Sequence, residues 1–207
     1  MDGLDVLELF DRFHVIRRNG HYAYTSNGRH GSVYVNKDAL YPYSREISQL
    51  CLELAHWAVS HGIDADCVVG PEKGGIILAQ WVGYHISSML VCDVTSVFAE
   101  KCPSGFVFTR GYADMVKGKH VLIVEDVINS GRTVAQLVDL VRETGGIVEG
   151  VVALYNRGNV SSQDIGCPPR FFALLHMPFE SWSAEECPMC RQGIPIDTQF
   201  GKGKSIA

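Results

Sequence analysis

The chain carries, from residue 119 to residue 133, the sequence Lys119-His120-Val121-Leu122-Ile123-Val124-Glu125-Asp126-Val127-Ile128-Asn129-Ser130-Gly131-Arg132-Thr133. The run 121–124 is continuously apolar and rich in β-branched residues, which is typical of a strand covered on both faces. After the turn, apolar residues recur at helical spacing, as Val134, Leu137, Val138 and Val141. The stretch therefore predicts a buried strand, a turn and the start of a helix.

Two kinds of chemistry meet in this stretch. Glu125 and Asp126 come where the predicted strand ends, which is the position at which open α/β sheets bind ligands. The small, hydroxylated and basic residues 129–133 follow, just before the helix, and the backbone N–H groups of such a turn favour a phosphate. A ligand with vicinal hydroxyls and a phosphate, that is, a ribose phosphate, fits both. An ordinary strand–turn–helix with an acidic cap is the alternative.

The whole thirteen-residue stretch 121–133 resembles the signature of type I phosphoribosyltransferases. In that family the adjacent acids, here Glu125 and Asp126, hold the ribose hydroxyls of phosphoribosyl diphosphate (PRPP). The resemblance implies that the following loop wraps the 5-phosphate. The PRPP-binding residues that it implies in this loop are Val127, Ile128, Asn129, Ser130, Gly131, Arg132 and Thr133.

Composition limits the class of protein. The chain has 207 residues, 46% of them hydrophobic and 20% charged, with a formal net charge of −5. This length suits a single domain with a sizeable core, and the acidic balance argues against an electrostatic nucleic-acid binder. No apolar run is long enough for a membrane span, and the first residues lack the pattern of an export signal. We expect a cytoplasmic protein without nucleic-acid or membrane partners.

The cysteines favour a reducing compartment but leave one question open. Seven are present, an odd number, and only Cys187 and Cys190 form a C-x-x-C pair. A zinc ion on this pair would need two further ligands, for which His176 and Cys167 are available but without a recognisable spacing. A zinc-binding interaction protein is thus one alternative, although it would explain only the tail.

The N-terminal region predicts a helix and a hairpin. Apolar residues at helical spacing begin at Val6, and the helix is expected to end near Asn19 and Gly20. Residues 21–25 and 32–36 predict two strands joined by a turn at 26–31. The sequence of residues 20–42 is similar to the N-terminal segment of orotate phosphoribosyltransferases, where this segment forms part of a hood over the base. The resemblance implies that Tyr34 contacts orotate, and packing within the hairpin is the alternative.

A second strand–loop–helix unit follows a covering helix at 43–61. The strand at 67–69 runs into a loop with glycines at 70, 74 and 75, and Lys73 adds a positive charge beside them. Glycines let the backbone approach an anion closely. In the family the matching loop receives pyrophosphate, which implies a catalytic and PRPP-binding role for Lys73.

Residues 99–118 break every regular pattern, and we expect them to form a mobile lid that excludes water from a reactive sugar. The A-E-K and F-T-R-G-Y segments of this lid, and the C-P-x-C-x-x-G-I-P tail, resemble a bacterial subset of the orotate family. The resemblance makes Lys101 the catalytic, PRPP-binding lid residue. A solvated loop lysine is the alternative.

Arg157 comes at the carboxyl end of the predicted strand 147–155. A guanidinium group matches a carboxylate through two parallel hydrogen bonds, and orotate differs from uracil by a carboxylate. The family places a base-binding arginine here, preceded by an acid that this chain replaces with Asn156. Asn129 stands where most orotate enzymes have threonine, and the resemblance implies that it also meets the base.

These features predict an α/β protein of the type I phosphoribosyltransferase fold, in which helices flank a central parallel sheet. We expect one domain over 1–207, with a hood at 1–42, a core at 63–176 and a tail at 177–207, and an edge strand at 171–175. The resemblance implies transfer of the phosphoribosyl group from PRPP to orotate in pyrimidine biosynthesis, with Asp126, Lys73 and Lys101 in catalysis. It also implies Mg²⁺ bound through PRPP, without metal ligands from the chain, and a homodimer with shared active sites. Activity on another nucleobase and a non-catalytic PRPP sensor are the alternatives.

Overall fold

A computed structural model describes residues 5–24 and 28–201. The helices and two short 3₁₀ turns (Lys37–Ala39 and Ser162–Ile165) alternate with strands along the chain. The helices are α1 (Val6–Arg12), α2 (Ser44–Ser60), α3 (Gly74–Leu90), α4 (Tyr112–Val116), α5 (Arg132–Glu143) and α6 (Pro188–Arg191). The strands are β1 (Ile16–Arg17), β2 (Tyr22–Ala23), β3 (His30–Gly31), β4 (Tyr34–Val35), β5 (Cys67–Pro71), β6 (Thr95–Cys102), β7 (Gly105–Val107), β8 (His120–Ile128), β9 (Ile147–Asn156) and β10 (Phe171–His176). Within the described ranges, no helix combines the length and apolar character needed to cross a membrane.

The chain forms two compact units. The core unit comprises residues 43–177, whereas the second, which we call the terminal unit, combines residues 1–42 with residues 178–207. The predicted hood and the predicted tail thus belong to the same unit.

A six-stranded sheet organises the core unit, in the order β10-β9-β8-β5-β6-β7. Neighbouring strands from β10 to β6 are parallel, and only β7 runs antiparallel to its neighbour. Parallel neighbours need a crossover between them, and helices supply it. The predicted fold class and the predicted position of the last strand at the sheet edge are confirmed.

Helices cover both faces of this sheet. Val134, Leu137, Val138 and Val141 of α5 are almost fully buried against strand residues that include Val121 and Ile123. Leu122 and Val124 are equally buried and, because side chains alternate along a strand, point to the opposite face. On that face the Trp57 ring of α2 stacks on Phe172 of β10, with ring centroids 4.6 Å apart. Burying the four α5 side chains contributes roughly 6–12 kcal/mol at most.

The terminal unit is built from short strand pairs. β1 pairs antiparallel with β4, and β2 pairs antiparallel with β3. The predicted hairpin is therefore wrong in its pairing, because the partner of Tyr22 is Gly31 and Tyr34 instead pairs with Arg17. Residue 25 of its first predicted strand and residues 26–27 of its predicted turn lie outside the described residues.

The first helix is shorter than its apolar spacing predicted. α1 ends at Arg12 instead of near Asn19, and His14 has a positive φ of 54°. A left-handed residue cannot continue a helix, and the chain then turns into β1.

Candidate active site

The adjacent carboxylates lie inside β8, three and two residues before its end at Ile128. The predicted strand end at Val124 is too early, because β9 pairs with β8 as far as the Ile128–Asn156 register. Glu125 is 6% exposed and Asp126 is 2% exposed. The N–H of Asp126 donates to Glu125 Oε1 at 2.8 Å, and the N–H of Val127 donates to Asp126 Oδ1 at 2.6 Å. These bonds hold both carboxylates in a fixed orientation at the strand end.

The turn after β8 leads directly into the N-terminus of α5. Gly131 caps the helix with a φ of 75°, and its carbonyl accepts the Ala135 N–H at 2.9 Å. A Cβ at Gly131 would lie 2.9 Å from Ile165 Cγ2 and 3.0 Å from Val160 Cγ1. Glycine thus satisfies both the left-handed backbone and the limited space. The first N–H groups of a helix have no partner within it and attract anions, so this end of α5 suits a phosphate.

The turn after β9 packs against the turn after β8. The N–H groups of Arg157 and Gly158 donate to the Ile128 carbonyl at 2.9 and 3.2 Å. A Cβ built on Gly158 would lie only 1.5 Å from the Asn129 carbonyl oxygen. No residue with a side chain fits there unless one of the two turns moves. The position of the half-buried Arg157 is therefore coupled to that of the candidate phosphate loop.

Asn156 braces this second turn. It is 1% exposed, its amide donates to the Val160 carbonyl at 2.7 Å, and its Oδ1 accepts the Val160 N–H at 3.1 Å. Sequence reasoning missed the support that Asn156 gives to this turn and the packing role of Gly158. An asparagine and a glycine directly after a buried strand are typical turn residues, and this signal was available in the sequence.

The loop between β5 and α3 carries Lys73, which is exposed and lies at the N-terminus of α3. Its glycines serve close backbone packing: a Cβ on Gly70 would lie 2.1 Å from the Gly75 carbonyl oxygen. The Glu72–Lys73 peptide is cis, and the Glu72 N–H donates to the Ala99 carbonyl at 3.0 Å. Lys73 is thus presented at the carboxyl end of β5, next to that of β8 in the sheet order.

The predicted lid has more regular structure than its sequence indicated. β6 extends to Cys102 and forms a hairpin with β7, in which Lys101 pairs with Phe106. Arg110 Nη2 lies 2.8 Å from Glu100 Oε1, and hydrogen bonding to Arg110 lowers the pKa of the Glu100 carboxyl. Lys101 is exposed near the carboxyl end of β6. The absence of regular structure over 99–118 was a wrong prediction, whereas the mobility of this segment stays a prediction.

The core unit thus brings most of the predicted residues to the carboxyl ends of neighbouring parallel strands. These are Lys73 after β5, Lys101 near the end of β6, the residues 125–133 at the end of β8, and Arg157 after β9. Tyr34 belongs to the terminal unit, where its ring lies 5.5 Å from that of Tyr22 and 5.4 Å from that of Phe200. Its contact with a base stays a prediction.

This arrangement suits a phosphorylated sugar. Buried, oriented carboxylates accept hydrogen bonds from hydroxyl groups, and the N-terminus of α5 attracts a phosphate. Two lysines can neutralise further negative charge, and the guanidinium of Arg157 can hold a carboxylate. The geometry therefore supports binding of a polyanionic sugar phosphate beside a second, acidic ligand.

Comparisons with known sequences point to one family. The phosphoribosyl transferase domain model matches residues 43–171. The orotate phosphoribosyltransferase of Caldanaerobacter subterraneus subsp. tengcongensis is 34% identical over 95% of this chain and 96% of its own length. That of Pelotomaculum thermopropionicum is 37% identical over 86% of both chains.

Solved structures show the same fold. Orotate phosphoribosyltransferase from Mycobacterium tuberculosis in complex with PRPP has a TM-score of 0.61 at 18% identity, covering 85% of this chain and 91% of that chain. Adenine phosphoribosyltransferase from Thermoanaerobacter pseudethanolicus has a TM-score of 0.59 at 18% identity, covering 83% and 99%. At such identities the likeness shows the fold alone.

Proposed function

Because the chain belongs to the orotate phosphoribosyltransferase family, we propose that it transfers the phosphoribosyl group of PRPP to orotate, forming orotidine 5′-phosphate and pyrophosphate in pyrimidine biosynthesis. The observation that carries the proposal is the order of groups at the end of β8. Two buried carboxylates are followed within six residues by a glycine-capped helix N-terminus. A ribose 5-phosphate requires a diol site and a phosphate site in just such proximity.

Glu125 and Asp126 fix the ribose of PRPP through its two hydroxyls. Their backbone hydrogen bonds orient the carboxylates before the ligand arrives, so little reorganisation is needed. Residues 127–133 hold the 5-phosphate, with N–H groups at the start of α5 and the side chains of Ser130, Arg132 and Thr133. The anomeric carbon is thereby held in a constant position relative to the base.

Lys73 and Lys101 act on the departing pyrophosphate. The sugar gains oxocarbenium character as the bond to pyrophosphate breaks, and negative charge accumulates on the leaving group. Two ammonium groups at the ends of β5 and β6 stabilise that charge. Closure of the β6–β7 hairpin over the site excludes water, which would otherwise hydrolyse PRPP.

Arg157 and Asn129 contact the base. Arg157 pairs with the orotate carboxylate, and Asn129 lies in the loop that Gly158 contacts. The brace from Asn156 to Val160 holds the turn that carries the arginine, which compensates for the missing family acid at position 156.

Mg²⁺ fits this site through its ligand. The donor set is hard oxygen, which Mg²⁺ prefers, and each carboxylate already accepts a backbone N–H. Glu125 and Asp126 would therefore hold the ion by way of the ribose hydroxyls or water. When bound, Mg²⁺ supplies charge stabilisation for the pyrophosphate.

A direct assay tests the proposed function. Purified protein is incubated with PRPP, Mg²⁺ and one base at a time from orotate, uracil, adenine and hypoxanthine. We expect consumption of orotate that requires both PRPP and Mg²⁺ and yields pyrophosphate in equal amount. Faster consumption of another base would identify a different phosphoribosyltransferase, and PRPP binding by calorimetry without turnover would identify a sensor.

Replacement of Arg157 by alanine should affect orotate selectively. Loss of a charge-assisted pair of hydrogen bonds costs about 1.5–3 kcal/mol, so KM for orotate should rise roughly 10- to 150-fold. The KM for PRPP should change less than about threefold, because its binding groups lie on other elements. Steady-state kinetics with each substrate varied in turn measure both values.

Arg170→Ala provides the matched control for that experiment. Arg170 lies just before β10, at the amino end of the parallel sheet, with Nη1 3.6 Å from Glu149 Oε2. The same charge is removed far from the base site, and both KM values should stay at the wild-type level. If Arg157→Ala raised the KM for orotate and the KM for PRPP by the same factor, the assigned role would be contradicted.

We further propose a homodimer in the cytoplasm. The family resemblance supports the dimer, since a catalytic lysine of orotate phosphoribosyltransferases comes from the neighbouring subunit. Sedimentation velocity should show a dimer, and specific activity should fall on dilution below the dissociation constant. A monomer that keeps full activity at all dilutions would refute shared active sites.

A further inference from the structure

Four potential metal ligands converge in the terminal unit, outside the site described above. The side chains of His21, His30, Cys187 and Cys190 place one ligand atom each within 4.8 Å of one another. His21 is 2% exposed, His30 is 7% exposed, Cys187 is fully buried and Cys190 is half-buried. The proposed transfer reaction uses none of them.

The ring of His21 is oriented for metal binding. Its Nδ1 lies 2.7 Å from the carbonyl oxygen of Ile194, an atom that can only accept, so Nδ1 carries the proton. In the neutral ring Nε2 then carries a lone pair, and this nitrogen faces His30 and the two cysteine sulfurs. A hydrogen bond from the second ring nitrogen to a carbonyl is the usual support of a histidine that binds a metal.

The four ligand atoms lie close to one another. His21 Nε2 lies 3.0 Å from His30 Nδ1 and 3.5 Å from each of the sulfurs of Cys187 and Cys190. His30 Nδ1 lies 3.2 Å from the Cys190 sulfur. Bond lengths of about 2.0–2.3 Å around tetrahedral zinc give ligand separations of roughly 3.3–3.8 Å. These four separations lie within or slightly below that range, and all four ligand atoms lie within 4.8 Å of one another, so the cluster is close to the size of a zinc site.

We propose that His21, His30, Cys187 and Cys190 bind one structural zinc ion. Two thiolates and two imidazoles form a donor set typical of closed zinc sites, and two thiolates balance the charge of the ion. Because all four positions are taken by protein side chains, no position is left for a substrate or an activated water. The ion stabilises the fold and takes no part in the transfer reaction.

The site would connect the two chain segments of the terminal unit. His21 and His30 come from the N-terminal segment and the cysteines from the tail, and the sequence separation of His30 and Cys190 is 160. Backbone bonds of 2.8 Å between His30 and Trp182 link the same segments. A unit of this small size buries little apolar surface, and a metal is a common means of stabilising it.

The cysteine pair was noticed in the sequence, but its partners were not. Cys167 and His176, which we named as available ligands, belong to the core unit, and His176 Nε2 lies 3.0 Å from Asn159 Oδ1. Among the described residues, the side chains that join Cys187 and Cys190 in the cluster are those of His21 and His30. Their separation of nine residues, far from the cysteines in sequence, matches no common zinc motif.

Metal analysis of the full-length protein tests the proposal. Protein produced in zinc-supplemented medium and freed of loose metal by gel filtration should contain about one zinc per chain by mass spectrometry. Cys187→Ser and Cys190→Ser should each lower the zinc content at least about fivefold. Cys167→Ser, which removes an exposed thiol of the core unit, is the matched control and should keep the full content.

A second measurement covers variants that fail to fold. A chelator that strips the metal from wild-type protein should lower the melting temperature by about 5 °C or more, and added zinc should restore the original melting temperature. Titration with Co²⁺ should give the intense visible absorption of a tetrahedral thiolate site. Zinc-free protein whose melting temperature does not respond to zinc would overturn the proposal. So would bound iron without zinc, or a disulfide between Cys187 and Cys190 in freshly purified protein.

Discussion

Replacing Asp126 by asparagine is expected to lower kcat/KM for PRPP roughly 10- to 150-fold, since a hydrogen bond to a charged group contributes about 1.5–3 kcal/mol. Asparagine has the same shape, and its Oδ1 can still accept the Val127 N–H that Asp126 accepts at 2.6 Å. The negative charge is lost, and the second acceptor oxygen is replaced by an NH2 donor. Because Asp126 is 2% exposed, water cannot replace that charge at the ribose hydroxyls.

Asp139→Asn is the matched control for this change. Asp139 lies on the exposed face of α5, in the same unit, and loses the same charge. Its kinetics should equal those of the wild type, and both variants should keep the wild-type melting temperature or exceed it. Asp126→Asn with kcat/KM within about twofold of wild type would remove Asp126 from the catalytic set. Arg132→Ala should lower kcat/KM for PRPP by a comparable factor, because the side chain that binds the 5-phosphate is removed.

The substitution Gly158→Ala should abolish most activity without touching a substrate. The new Cβ would lie 1.5 Å from the Asn129 carbonyl oxygen, so the turn that follows β9 or the phosphate loop must move by more than an ångström. A misplacement of about 1 Å can cost roughly 10²-fold in rate, and we expect a loss of at least that size in kcat/KM for both substrates. The melting temperature should also fall by several degrees.

Gly118→Ala controls for the loss of a glycine as such. Gly118 has a φ of 70° and no atom within 4 Å of a built Cβ, so alanine there adds backbone strain of about 1–2 kcal/mol but no collision. This variant should be less stable but fully active at low temperature. If Gly158→Ala kept activity within about threefold of wild type, the two turns would not be coupled as we describe.

The central part of the fold could be predicted because its signals are local and agree with one another. The apolar run 121–124 predicted the buried strand, and the spacing of Val134, Leu137, Val138 and Val141 predicted the helix α5. Glycines and charged residues near the ends of buried strands predicted the candidate binding groups at β5, β8 and β9. Local pattern was sufficient here since parallel strands place all these ends on one edge.

The parts that could not be predicted depend on contacts that are distant in sequence. β3 has only two residues, and His30 is bonded through its backbone to Trp182 of the tail. The extension of β6 into a hairpin depends on the short β7, whose Phe106 packs against the core. The contact of Gly158 with Asn129 joins two loops that no periodicity connects.

The arrangement of the two units also sets an order of events during synthesis. Residues 43–177 are contiguous and can fold as soon as they leave the ribosome, whereas residues 1–42 need partners from 178 onward. At about 5–20 residues per second, the first segment waits roughly 7–27 s for the tail to emerge. During that interval Tyr22, Tyr34 and other apolar side chains lack the surface that later covers them. Nascent chains stalled before residue 178 should therefore contain a protease-resistant core and a sensitive N-terminal arm.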